Sequence, residues 1–199
     1  MTFKALAESF VQNKTLPISV NSVLAWIREN TDYQHITLHG VKRDHNAFRG
    51  AFRRKEINVG PLGLYGSNPD NIELHVDILY GSDLDEQWKR LVIVKEALHV
   101  FDGGQACVNT PDKLRQLIPQ IISPELKGAP FVPAINDHFG AFRAMAVLMP
   151  SVARKLLAAS IEDGTRTVDE VANYVRLPEY YVDIWMRFGD EIEPLLGVV

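Results

Sequence analysis

The stretch Ile72-Glu73-Leu74-His75-Val76-Asp77-Ile78-Leu79-Tyr80 alternates apolar and polar side chains from Ile72 to Ile78. Successive side chains of a strand point to opposite faces, so this alternation predicts a β-strand. The predicted apolar face carries Ile72, Leu74, Val76 and Ile78, and the other face carries Glu73, His75 and Asp77. A long helix is predicted next, over residues 84–101, because the glycines at 103 and 104 end an apolar pattern there.

Weaker patterns on both sides of this strand and helix complete a predicted α+β fold. Helices are expected over residues 3–12 and 19–29, and strands over 35–41 and 48–54. After the long helix, further helices are expected over residues 111–122, 135–149 and 151–161. The capping-box spacing of Thr167 and Glu170 begins a final helical pair. Because the strands precede most of the helices, we expect a small, mostly antiparallel sheet packed with helices.

Composition places the chain among soluble proteins. The 199 residues carry a formal net charge of −4, so the whole chain has no general attraction to nucleic acid or to anionic membranes. No apolar run approaches the roughly 18 residues that a membrane-spanning helix needs, and no secretion signal is evident at the N-terminus. The single cysteine, Cys107, excludes an intramolecular disulfide and a cysteine-based zinc cluster. We therefore expect a cytoplasmic protein with no membrane partner.

The predicted long helix carries Lys95-Glu96-Ala97-Leu98-His99, which matches the zinc motif His-Glu-x-x-His except at its first position. Two histidines four apart on a helix can chelate one zinc ion, and the glutamate can deprotonate a zinc-bound water. Lys95 replaces the first histidine, and its ammonium group has three donors and no acceptor. Asp102, three residues beyond His99, brings another carboxylate to the same neighbourhood.

The motif helix that follows a strand, together with Ala144-Met145-Ala146-Val147-Leu148-Met149-Pro150, resembles the ImmA/IrrE family of metallopeptidases. Proteins of that family are often encoded beside regulators in phages and mobile elements. The resemblance covers residues 30–190 and implies zincin-like helices packed on the sheet. It also implies an acidic metal ligand on a later helix, and counting back from Pro150 assigns that role to Asp137, where the family usually has glutamate.

This resemblance also divides the chain into two parts. A peptidase-type domain with N-terminal helices is expected over residues 1–160, and a C-terminal helical pair packed on it is expected over residues 161–199. The second helix of that pair offers Glu179, Asp183 and Arg187 where a DNA-reading helix carries basic and amide side chains. We therefore interpret the pair as a packing or dimerisation unit; the oligomeric state is left open.

Three interpretations of the motif are open. In an active zinc peptidase, Glu96 is the general base and His99 and Asp137 bind Zn²⁺; such an enzyme would cleave a protein partner such as a repressor. In a degenerate site without cofactor, the Lys95 ammonium occupies the place of the ion and Glu96, Asp102 or Asp137 balances its charge. In a chance resemblance, His99 is an ordinary packed histidine. We prefer the second, a pseudo-enzyme that acts as a regulatory protein of phage or mobile-element origin on a protein partner.

A nucleic-acid-binding regulator is a further alternative. Residues 42–55 hold six basic side chains with Phe48 and Phe52 among them, a composition that suits contacts with phosphates and bases. Because the chain is acidic overall, we prefer a solvated hairpin with both phenylalanines turned to the core. His75 is expected to be structural or to face solvent, and an outward His75 could approach the motif helix.

Overall fold

The computed structural model describes residues 1–44, 49–58, 72–102 and 132–197, without the side chains of residues 58 and 132–138. The helices and strands in these residues are α1 (Phe3–Phe10), α2 (Val20–Asn30), β1 (Tyr33–Val41), β2 (Gly50–Asn58), β3 (Ile72–Gly81), α3 (Glu86–Ala97), α4 (Val132–Leu148), α5 (Ser151–Glu162), α6 (Val168–Val175) and α7 (Glu179–Leu195). A short 3₁₀ helix, Leu98–Phe101, continues α3. The predicted α+β class is confirmed.

Local signals in the sequence located most of these elements. The expected strands and the helices of the two chain ends are present, and the helix expected over residues 111–122 lies outside the described residues. The capping box that begins α6 is confirmed. The Glu170 amide donates to Thr167 Oγ1 at 3.2 Å, and the Thr167 amide donates to Glu170 Oε2 at 2.8 Å. These two bonds satisfy amides that the first turn of a helix leaves without a partner.

The three strands form one mixed sheet in the order β1-β3-β2. β2 runs antiparallel to β3, whereas β1 runs parallel to it. The expectation of a mostly antiparallel sheet therefore holds for one of the two pairings. Successive strands run in opposite directions, so β1 and β3 run in the same direction. Because β3 lies between β1 and β2, it pairs directly with β1, and this pairing is parallel.

The two faces of β3 have different environments. On the α3 face, Val76 and Ile78 are completely buried in the core. Ile72, at the start of the strand, is 49% exposed, so the predicted apolar face does not extend to it. The opposite face was predicted to be polar, yet Asp77 on that face is only 4% exposed. Neighbouring side chains cover this carboxylate, because β3 is the central strand and has a neighbour on each side.

Helix α3 lies at the centre of the molecule, where it contacts β2 and β3 as well as α2 and α4. Most of its residues from Arg90 to Ala97 are buried. The Arg90 guanidinium donates to the Ile18 carbonyl at 2.7 Å and to the Arg176 carbonyl at 3.1 Å. A single buried cation thereby joins the segment before α2 to the end of α6.

The C-terminal helices share one hydrophobic core with the rest of the chain. Trp185 of α7 is completely buried, and its Nε1 donates to the Met149 carbonyl at 2.9 Å. The run Ala144-Met145-Ala146-Val147-Leu148-Met149 at the end of α4 is buried throughout, so its small and flexible residues serve close packing. The last two helices are thus packed on the remainder of the described chain.

The length and hydropathy of the described helices show whether any of them could span a membrane. No single helix in the described part of the chain is long and apolar enough to span a membrane. Phe139–Leu148 and Ser151–Glu162 reach the required length and hydropathy only when taken together, and they are bent by 86° at the break between them.

Asp77 organises the face of the sheet that lies away from α3. Arg53 and Lys55 of β2 both bind its Oδ2, and His39 Nε2 of β1 lies 3.3 Å from its Oδ1. Burial opposes ionisation of the carboxyl, but hydrogen bonds from Lys55, Arg53 and His39 outweigh it and hold the pKa of Asp77 well below its usual range. The ionised carboxylate therefore links all three strands.

Replacement of this carboxylate should destabilise the protein in a pH-dependent way. We expect Asp77→Asn to lower the free energy of unfolding at pH 7 by about 1.5–3 kcal/mol, the range for hydrogen bonds to charged groups. A depressed folded-state pKa contributes stability above the unfolded pKa of about 3.9, and this contribution is lost as the pH falls. The difference between variant and wild type should therefore shrink below about pH 4.

Chemical denaturation at pH 7 and pH 3 measures both effects. Asp32→Asn is the matched control, because Asp32 is an exposed aspartate just before β1. A stability loss of equal size at both pH values would show that the charge of Asp77 is not what stabilises the sheet.

Candidate functional site

The motif residues lie where α3 tightens into the 3₁₀ helix. The α-helical hydrogen-bond pattern ends at Ala97, and Leu98–Phe101 continues as a 3₁₀ helix, whereas one regular helix was expected through residue 101. In a 3₁₀ helix, residues three apart lie directly above one another. Glu96, His99 and Asp102 have this spacing, and the structure brings their side chains into one row.

Glu96, the first residue of the row, forms an ion pair with its neighbour Lys95. The Lys95 ammonium lies 3.2 Å from Glu96 Oε1 and donates to it. Glu96 is only 4% exposed, and the Lys95 side chain is 19% exposed. A carboxylate so deep in the protein needs a partner, because an unpaired buried charge costs several kcal/mol. Lys95 provides that partner, and Glu96 is one of the three carboxylates expected to balance its charge.

His99 lies between two carboxylates. Its Nδ1 is 2.6 Å from Asp102 Oδ2, and its Nε2 is 3.6 Å from Glu96 Oε2. Arg143 of α4 donates from Nη1 to Asp102 Oδ1 at 3.2 Å, so one carboxylate joins the imidazole to the next helix. With the ring proton on Nδ1 donated to Asp102, the ring orientation is fixed and Nε2 faces the Lys95–Glu96 pair.

Arg54 of β2 binds backbone carbonyls at the end of the 3₁₀ helix. Its Nη2 donates to the carbonyls of His99 and Asp102, each at 2.9 Å. Carbonyl groups at the end of a helix have no partner within the helix, so this guanidinium caps it. Phe52, two residues earlier on the same face of β2, places its ring 5.6 Å from the His99 ring. Phe52 is packed against the core, as expected.

Other cations of the basic segment are also used within the fold. Arg53 and Lys55 bind Asp77, and the Arg49 guanidinium lies over the Trp88 ring, 4.1 Å from its centroid. The part of this segment that forms β2 pairs with β3 and not with β1. Phe48 lies outside the described residues.

Two glycines let the backbone approach the motif closely. A Cβ on Gly50 of β2 would lie 2.5 Å from Val92 Cγ1 and 2.9 Å from Glu96 Cγ. A Cβ on Gly140 of α4 would lie 3.2 Å from Lys95 Cγ and Cε. The Lys95–Glu96 pair is thus enclosed between the backbones of β2 and α4.

The described side chains around the motif do not fit a catalytic zinc site. Such a site needs three protein ligands and a water molecule. His99 offers a donor atom, but the motif position four residues before it is held by Lys95, whose ammonium group has no lone pair to offer. Asp137, the other predicted ligand, belongs to α4, but its side chain lies outside the described residues and its role stays a prediction.

Several residues of the site were not identified from the sequence. Arg143, Arg54 and Gly50 come from α4 and β2, and no local pattern links them to residues 95–102. Conversely, His75 does not approach the motif. It lies on the face of the sheet opposite α3, because side chains alternate along β3 and its neighbour Val76 faces the core.

Comparison with known proteins adds no family assignment. No family model matches the sequence, and no curated protein matches it. The likeness to the ImmA/IrrE family therefore rests on the sequence motifs alone.

A methyl group at position 50 should disrupt this arrangement. We expect Gly50→Ala to lower the free energy of unfolding by about 1–3 kcal/mol, because the new Cβ overlaps Val92 and Glu96 in a closely packed contact. Gly40→Ala on β1 is the control, since its Cβ would meet its nearest neighbour at an ordinary 3.4 Å. The control should stay within about 0.5 kcal/mol of the wild type. Equal stability of the two variants would contradict the close contact.

Proposed function

We propose that this chain is an ImmA/IrrE-like regulatory protein in which the zinc-peptidase site is degenerate. The observation that carries the proposal is the Lys95 ammonium 3.2 Å from Glu96 Oε1, while the other oxygen of this carboxylate, Oε2, lies 3.6 Å from His99 Nε2. Lys95 stands where the motif expects a metal ligand, and it supplies the positive charge that a metal ion would otherwise bring to these side chains.

The ion pair with Lys95 also engages Glu96, the residue that would be the general base of a peptidase. A carboxylate acts as a base toward water only when its oxygens can accept a proton from that water. Glu96 Oε1 accepts from Lys95, and Oε2 faces His99. The same carboxylate that would activate water in a peptidase is here held as the counter-ion of a lysine, which supports a role without hydrolysis.

The rest of the row supports descent from a metal site. A metal-binding histidine commonly donates its second ring nitrogen to a carboxylate, which orients the ring toward the ion. Asp102 has this relation to His99 Nδ1. The orienting carboxylate and the histidine are thus both in place, and Lys95 is the position that changes the chemistry of the site.

A regulatory protein of this kind acts by binding a protein partner in the cytoplasm, and the phage or mobile-element origin follows from the same resemblance. Large apolar side chains that face solvent on the last three helices are candidates for such contacts. These are Leu156, Tyr174, Tyr180, Phe188 and Leu195. Exposed apolar groups of this size are typical of interaction surfaces when they lie together.

Restoring the missing histidine tests the proposal. We expect Lys95→His to bind zinc through His99, because the substitution removes the ammonium and adds a ligand at the i, i+4 spacing of the zinc motif. The wild-type chain should show no zinc that depends on His99. Elemental analysis of both proteins, purified without added metal and again after zinc addition and dialysis at neutral pH, measures the difference.

Two control variants separate ligation from the loss of charge. Lys95→Met removes the ammonium without adding a ligand and should not gain zinc. The double variant Lys95→His/His99→Ala should lose the zinc that Lys95→His gains. One equivalent of zinc in the wild type that disappears in His99→Ala would overturn the degenerate-site proposal and favour the active metallopeptidase.

A further inference from the structure

A second group of metal-ligating side chains lies on the opposite face of the sheet. His75 Nε2 is 3.1 Å from Glu73 Oε2, and His35 Nε2 is 3.6 Å from the same oxygen. One ligand atom of each side chain lies within 4.8 Å of those of the other two. Within the described residues, no other three His, Cys, Asp or Glu side chains come together in this way.

A β-bulge brings His35 into this cluster. Tyr33 of β1 pairs with Leu74 of β3, and His35 pairs with His75. Two steps along β1 therefore correspond to one step along β3, which leaves one extra residue in β1. In a regular strand, His35 would pair with Val76 and point toward the core. The bulge turns it to the face that carries His75. Bulges commonly re-aim a side chain in this way next to functional sites.

The two histidine rings lie side by side, and the cluster is partly open to solvent. The His35 and His75 rings have centroids 4.4 Å apart and planes tilted by 34°. The side chains of His35, Glu73 and His75 are 57%, 33% and 23% exposed, so an ion can reach the cluster from solvent.

Two cations of β2 on this face of the sheet are bound to Asp77. Lys55 pairs in register with His75 across β2 and β3, but its ammonium binds Asp77. Arg53 binds the same carboxylate, and His39 Nε2 lies 3.3 Å from its other oxygen. The buried Asp77 carboxylate thus offsets one of these two positive charges and lowers the repulsion that a divalent cation would meet there.

We propose that His35, Glu73 and His75 bind a divalent transition-metal ion, with zinc as the best match. Two imidazoles and one carboxylate form a ligand set typical of zinc, with a fourth position open to water. Ligand atoms at ordinary zinc distances in tetrahedral geometry lie about 3.4 Å apart. The two nitrogen–oxygen separations of 3.1 Å and 3.6 Å bracket that value. The site does not involve α3 and is independent of the degenerate-site proposal.

Zinc titration of the metal-free, full-length chain by calorimetry at pH 7.5 tests this site. We expect one equivalent to bind to the wild type and to His99→Ala. His35→Ala and His75→Ala should each weaken binding at least tenfold, since loss of a ligand exceeds the roughly 10–100-fold effect of losing an outer contact. Glu73→Gln should also weaken it, whereas His39→Ala, on the same face but beside Asp77, should leave it unchanged.

A thermal melt of each variant without metal checks that it is folded, and zinc should raise the melting temperature of the wild type but not of His75→Ala. Undiminished zinc binding in the double variant His35→Ala/His75→Ala would overturn the proposal, as would zinc binding that depends on His39. Failure of this test leaves the Lys95→His experiment unaffected, because that experiment measures only the zinc that depends on His99.

Discussion

The burial of α3 is the constraint on which the structure depends. This helix contacts both the sheet and the helices around it, yet it carries Arg90, Lys95 and Glu96 at positions with little exposure to solvent. An unpaired charge there would cost several kcal/mol, a large part of the net stability of a domain. Each of these side chains therefore needs a partner. Glu96 is paired with Lys95, and Arg90 is paired with backbone carbonyls from two distant segments.

The neighbours of α3 supply the remaining partners and the space for them. Arg143 from α4 binds the carboxylate that holds His99, and Arg54 from β2 caps the carbonyls at the end of the 3₁₀ helix. Gly50 lets the backbone of β2 lie against Glu96. The charged side chains from Lys95 to Asp102 therefore depend on two neighbouring elements, α4 and β2, and they contribute specificity to the arrangement as well as charge balance.

The same need to pair buried charges explains the ion pairs of Asp77 on the face of the sheet away from α3. Asp77 is buried on a face that local alternation marks as polar, because the side chains of both neighbouring strands cover it. Its carboxylate binds Arg53 and Lys55 of β2 and offsets part of their positive charge close to His35, Glu73 and His75. One buried carboxylate thus stabilises the sheet and shapes the chemistry of the surface around it.

Local sequence signals determined the class of the fold and the order of its elements. Alternation located β3, capping chemistry located α6, and the spacing of Lys95, Glu96 and His99 marked the candidate site. These features depend on residues close together in the chain. The parallel pairing of β1, the bulge that turns His35 toward His75, and the contacts of Arg54 and Arg143 were decided only by the tertiary structure. Each joins segments far apart in sequence, and no periodicity within one segment carries information about the segment that will pack against it.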